Sequence, residues 1–346
     1  MLTGDIGAGY VELPVGRFAA FPSREDGLQT TKKTGRNVAF GDWENRMFSS
    51  PPEVTARVFA ELPDELRCQE RRSDWASAYT GGKRPLHSFL EGPCFDGEGR
   101  LYCVDVAYGR IFRFANRHFE VVADYDGEPN GLKVRKDGRI FIADFKKGIL
   151  ELDPATGRVE VVCDRFRSNH FKAVNDLTFA GDGTMYFTDQ GTTGLQDPSG
   201  CVYRRSPDGR LDLLMGGLLA PNGLVLNREE TELFVAATRG NNILRLPLAP
   251  DGGVTKAGVF IQMSGGIGPD GMTIDAEGNL IVAHIGLGSV WVFNADGEPI
   301  KRVRSCRGKR VTNVAFGGAD LKTLVITEAD SGSILSVESD IPGFLR

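Results

Sequence analysis

Glu91, Asn130, Asn175, Asn222, Asp270 and Asn313 occupy one polar slot in six copies of a short motif, 39 to 48 residues apart. The copies read Leu90-Glu91-Gly92-Pro93, Pro129-Asn130-Gly131-Leu132, Val174-Asn175-Asp176-Leu177, Pro221-Asn222-Gly223-Leu224, Pro269-Asp270-Gly271-Met272 and Thr312-Asn313-Val314-Ala315. Two carboxylates and four amides are an oxygen-donor set. Brought to one place, they suit a hard cation. Other chemistry is thinly represented. No Walker-type loop, GxSxG elbow or HExxH stretch occurs. The four histidines lack zinc-ligand spacing.

Repeats of this length stack or close on themselves. Each slot opens an apolar run, followed by a turn and a second apolar run. In the first copy the turn is Asp96-Gly97-Glu98-Gly99 and the run Leu101–Val104; in the second they are Lys136-Asp137-Gly138 and Ile140–Ala143. Asp-Gly and Glu-Gly between apolar runs mark hairpins. A third run follows, as at Ile111–Phe114 and Val290–Phe293, then a more polar, alternating fourth, as at Phe119–Val122 and Val159–Val162. Four antiparallel strands of falling hydrophobicity are a propeller blade. The sequence therefore predicts an all-β, six-bladed β-propeller over residues 56–346. The sixth repeat ends near Val337 without an outer strand, and Arg57–Leu62 supplies a matching one. Closure by this N-terminal strand is expected, since it removes an open sheet edge. Residues 1–55 read as an N-terminal extension, a candidate strap or homo-oligomer contact. Glu65–Lys83, charged with two aromatics, reads as a loop or short helix over one face of the ring.

The net charge of −5 gives no reason to expect nucleic acid or an anionic membrane. No apolar run approaches the ~18–20 residues of a membrane span. The first residues lack a secretory apolar core. The six cysteines form no CxxC pair. Reduced, mostly buried thiols in a cytoplasmic protein are expected.

Inner strands of a propeller begin at the central channel, so the slot side chains are expected to face one another. Glu91 and Asp270 would then be neighbouring carboxylates in a confined space. A divalent cation resolves their repulsion, and Asn amide oxygens complete its shell without added charge. Calcium is the first expectation; magnesium, manganese, zinc and iron also accept such ligands.

Taken together and in order, Leu90-Glu91-Gly92-Pro93, Asn175-Asp176, Pro221-Asn222-Gly223-Leu224 and Pro269-Asp270-Gly271-Met272 resemble the senescence-marker-protein-30/gluconolactonase family, over residues ~85–340. The resemblance implies a propeller lactonase with one catalytic divalent cation in its channel. It implies Glu91, Asn222 and Asp270 as metal ligands. Asn175 would be a fourth ligand, or would hold substrate or water, and Asp270 the acid/base. Sugar-lactone members carry an Arg two residues before the third-blade Asn. Here that position is Ala173. With Phe95, Phe145 and Phe171 nearby in sequence, this points to a less polar lactone. Asn130, Asn313 and His284 are candidate substrate contacts. Lys133 reads as structural, and Asp105 and Asp189 as turn caps. Two other readings remain: a phosphotriesterase-type hydrolase on the same ligands, as in squid-type diisopropylfluorophosphatase, and a non-enzymatic binding propeller.

Overall fold

A computed structural model describes residues 50–83 and 85–345. Six four-stranded antiparallel sheets are arranged as a β-propeller. Blade one comprises Leu90–Phe95, Leu101–Asp105, Arg110–Ala115 and His118–Asp124. Blade two comprises Pro129–Val134, Ile140–Asp144, Gly148–Asp153 and Arg158–Cys163. Blade three comprises Val174–Phe179, Met185–Asp189, Gly200–Arg205 and Leu211–Leu218. Blades four to six have inner strands Pro221–Leu226, Gly268–Ile274 and Val311–Gly317, and second strands Glu232–Ala237, Leu280–Ile285 and Thr323–Glu328. Second strands are packed on both faces and therefore read as continuous apolar runs. That of blade one, Leu-Tyr-Cys-Val-Asp, is buried at every residue. Outer strands alternate; Arg158–Cys163 carries no buried residue.

The closure expected from the sequence is present. Arg57–Glu61 pairs antiparallel with Ser333–Glu338 as the outer strand of blade six. Thr312 Oγ1 of blade six donates to Leu90 O of blade one at 2.9 Å, tying the last inner strand to the first. Other threonine hydroxyls join blades three and four (Thr188 Oγ1 to Asn222 O, 2.7 Å) and four and five (Thr238 Oγ1 to Pro269 O, 2.7 Å). Glu53–Thr55 adds a further strand, parallel to Pro299–Arg304 at the edge of blade five. Residues 1–49, most of the expected extension and its proposed oligomer contact, lie outside the described residues. Between the two N-terminal strands and blade one runs a short helix, Asp74–Thr80, capped by Ser73 Oγ and ended by Gly81 at φ 61°. Among the described residues no helix is long and apolar enough to cross a membrane.

The glycine of the motif has a steric cause. A Cβ on Gly223 would lie 2.5 Å from Asp270 O, and one on Gly92 would lie 2.6 Å from Asn130 O. At these two glycines the neighbouring inner strand leaves no room for a side chain.

Candidate active site

Each inner strand carries a β-bulge at the motif. The pairing register shifts immediately before the slot in blades two to six and immediately after Glu91 in blade one. Bulges re-aim side chains. The pairing with the second strands fixes which residues are equivalent. Leu90, Pro129, Val174, Pro221, Pro269 and Val311 pair with Asp105, Asp144, Asp189, Ala237, His284 and Glu328. The slot is the next residue: Glu91, Asn130, Asn175, Asn222, Asp270 and, in blade six, Thr312. Asn313 therefore stands one position later than the sequence alignment put it, in the register of Asp176. The two share their local bonding. Asp176 N and Asn313 N each donate to a second-strand threonine, Thr188 and Thr327, at 3.1 Å. Each side-chain oxygen accepts from the following N–H at 2.8 Å.

The acidic slot residues are buried, Glu91 to 2% and Asp270 to 5% exposure. Glu91 Oε2 accepts from Gly92 N at 2.6 Å and from Asn313 Nδ2 at 3.0 Å. Burial drives the Glu91 carboxyl upward from the ordinary range, and the Asp176 charge adds to this. Gly92, Asn313 and the Lys133 ammonium oppose it. Asp270 is also raised. Burial comes first, then the charges of Glu91 and Asp176, against the Asn222 amide alone. The two remote carboxylates thus feel each other's charge, as do both that of Asp176.

Asp176, next to the slot residue of blade three, is a third acidic group here. It is 1% exposed, and burial raises it while Lys133 pulls it down. The signal lay in its position: a charged residue where four other copies carry glycine. Lys133, read from sequence as structural or solvated, is the cation whose field reaches both Asp176 and Glu91.

The donor set fits a hard cation. It consists of oxygen only, and the buried Asn175 Oδ1 has no hydrogen-bond partner. Among the described residues no cluster of three or more His, Cys, Asp or Glu side chains could hold a metal. An ion here would therefore depend on Asn amide oxygens beside the Glu91 and Asp270 carboxylates.

The remaining candidates are placed as follows. Asn130 is buried in the slot of blade two. His284 is a fixed part of blade five: its Nδ1 accepts from Trp291 Nε1 at 3.2 Å, leaving Nε2 to donate to Gly265 O at 3.0 Å. Both ring nitrogens are used, so the imidazole has none to offer a substrate, and burial holds it below the usual histidine range. Phe95 ends its inner strand far from the slot, and lines a cavity of about 890 Å³ with Lys133, Thr178, Met272 and Phe316. That cavity contains no slot residue. Phe171 packs on Phe187 and Tyr203 inside blade three. Phe95 and Phe171 are thus half-buried residues packed against the cores of the blades. All six cysteines are free thiols; Cys103 is buried and Cys306 exposed.

Residues 89–330 match the SMP-30/gluconolactonase/LRE-like region. The chain belongs to that family. It is 37% identical over 207 residues to a gluconolactonase of Zymomonas mobilis, covering 54% of this chain and 57% of that protein. It is 35% identical over 227 residues to the lactonase drp35 of Staphylococcus epidermidis, covering 62% and 69%. The fold matches a calcium-binding regucalcin of Agrobacterium tumefaciens with a TM-score of 0.70, at 23% identity over 86% of this chain and 98% of that one. It also matches a gluconolactonase of Xanthomonas campestris with a TM-score of 0.65, at 23% identity over 84% and 95%. Family membership rests on the sequence matches, and the structural matches support the propeller.

Proposed function

We propose that this protein is a divalent-cation-dependent hydrolase that opens a lactone ring. The observation that carries the reading is the burial of Glu91 and Asp270, with the Glu91 charge acting on Asp270, together with the buried, unpartnered Asn175 Oδ1. Glu91, Asn175, Asn222 and Asp270 would hold the ion, calcium first among the candidates. The relatives named gluconolactonase and lactonase support the substrate class, and the neighbour named a calcium-binding protein supports the cation. When bound, the cation supplies a Lewis acid for the lactone carbonyl.

The chain's own groups do the rest. Ionised Asp270 accepts a proton from water as the oxygen attacks the carbonyl carbon. The bond from carbonyl carbon to ring oxygen then breaks, and the same proton passes to the departing alkoxide. Water is consumed and a hydroxy acid released. Asn222, whose amide favours the ionised form of Asp270, orients that carboxylate. Asn313, bonded to Glu91 Oε2, fixes the other. Free thiols throughout are in keeping with a cytoplasmic protein.

The test is a panel of aldono-, aromatic and alkyl lactones, with a phosphotriester as control, assayed before and after chelator dialysis. Lactone opening lost on dialysis and restored by calcium is expected. Phosphotriester turnover without lactone turnover, or activity indifferent to chelator, would overturn the reading.

A further inference from the structure

The register that defines the slot also defines the residues ahead of it. The residues two before each slot lie at or just ahead of the start of each inner strand, where the chain enters the slot. They are Phe89, Glu128, Ala173, Ala220, Gly268 and Arg310. Their equivalence is visible in the backbone. The carbonyls of Phe89, Glu128, Ala173, Ala220 and Arg310 accept from Val106, Phe145, Gln190, Thr238 and Ala329, each the residue just after a second strand. Gly268 pairs with Ile285 in the same place.

This set is lopsided. Ala173, Ala220 and Gly268 carry little or no side chain over blades three to five, next to Asn175, Asn222 and Asp270. The other side is occupied. Trp75 and Tyr79 of the short helix stack at 4.9 Å, and both meet the Phe89 ring edge-on, at 4.9 and 5.0 Å. Beside them the Arg310 guanidinium lies 5.5 Å from the Tyr79 ring centroid. Its Nη1 is paired with Asp330, while its Nε is buried without a hydrogen-bond partner. Asp330 and the Tyr79 hydroxyl thus hold the guanidinium against the helix. The Tyr79 hydroxyl feels the charges of both Arg310 and Asp270, so this wall borders the acidic slot.

We infer that Arg310 is the specificity-determining residue of the mouth, donating to an acceptor oxygen on a substituent of the lactone whose ring lies over the small-residue side. This rests on the lactonase reading above. The ligand chemistry is a hydroxyl or carboxylate oxygen carried by the lactone, with the Trp75–Tyr79 helix as the wall behind it. Guanidinium is suited to either oxygen.

The experiment uses the full-length, calcium-loaded protein and three lactones of one ring size: unsubstituted alkyl, hydroxylated and carboxyl-bearing. R310Q is expected to raise KM for the preferred oxygen-bearing lactone by about 10–100-fold, the loss of a charge-assisted hydrogen bond. Its kcat should change by less than about threefold, and the alkyl lactone's KM should not move. R310K should recover part of the loss if the ligand is a carboxylate and little if it is a hydroxyl. Thermal melts confirm that both variants fold. Equal effects of R310Q on all three lactones, or none on any, would sink the inference while leaving the lactonase reading intact. Wild-type protein that opens none of the three would bring down both.

Discussion

Two sets of buried carboxylates lie a few residues apart in this molecule and behave differently. Asp105, Asp144 and Asp189 end the second strands of blades one to three. Asp105 accepts from Phe89 N and pairs with Arg110. Asp144 accepts from Tyr125 Oη and from the N–H groups of Glu128, Lys146 and Lys147. Asp189 accepts from Lys172 N and Ala173 N. Burial pushes all three upward, and these donors oppose it. Glu91 and Asp270 are equally buried, but their neighbours include each other and Asp176. The first set clamps loops to blades; the second is short of positive partners. Burial alone does not mark a functional carboxylate. What separates the sets is neighbouring charge: other carboxylates push Glu91 and Asp270 upward, whereas hydrogen-bond donors and cations oppose burial at Asp105, Asp144 and Asp189.

The largest predicted effect breaks the comparison at its functional end. Asp270→Asn should cut lactone turnover by about 10²–10⁴-fold, the usual worth of a general base. Its melting temperature should hold or rise, because one of three repelling charges is gone. Near-wild-type activity would remove Asp270 from the chemistry. At the structural end, Asp105→Ala strips Arg110 of its buried partner and should cost about 3–5 kcal/mol in urea unfolding. If its cost matched that of Asp270→Asn, the two sets would not differ.

Next in size, Glu91→Gln should weaken calcium binding at least about tenfold in calorimetric titration, as expected when a charged ligand becomes neutral. Unchanged affinity would place the ion elsewhere.

A smaller effect concerns pH. Glu91 and Asp270 have raised folded-state values, so the folded protein binds more protons than the unfolded chain. Stability of chelator-treated protein should therefore be greatest at the ordinary carboxylate range and fall as pH rises toward the raised values. Melts from about pH 5 to about pH 8 should show this decline, and calcium should flatten it. A decline that persists in the Glu91→Gln, Asp270→Asn double variant would assign it to other groups. Smallest of all, Trp291→Phe should cost about 1 kcal/mol through the lost bond to His284 Nδ1, with turnover unchanged. A drop in turnover would return His284 to the substrate site.

Much of the architecture was legible because a propeller writes its period into the chain. Hairpin glycines, apolar second strands and the missing outer strand of blade six each have a local cause, and all were found where the sequence put them. The slot was legible for Glu91, Asn175, Asn222 and Asp270 as a recurring polar residue. It failed at Asn313. One-dimensional spacing treated it as the sixth slot residue, whereas the bulge register gives that place to Thr312. His284 failed differently. A histidine at a strand end looks available until the partners of both nitrogens are known, and Trp291 and Gly265 come from separate segments.

The sequence by itself determined the repeat, the blade composition, the closing strand and the oxygen-rich chemistry of the slot, because each depends on residue type and short-range pattern. The tertiary structure alone decided which carboxylates are neutralised and which are left repelling. It also decided that Arg310, rather than anything near Ala173, brings a guanidinium to the mouth. Hydrogen bonds and Coulomb interactions act through space between chain segments far apart in sequence, and their partners are set only once the ring has closed.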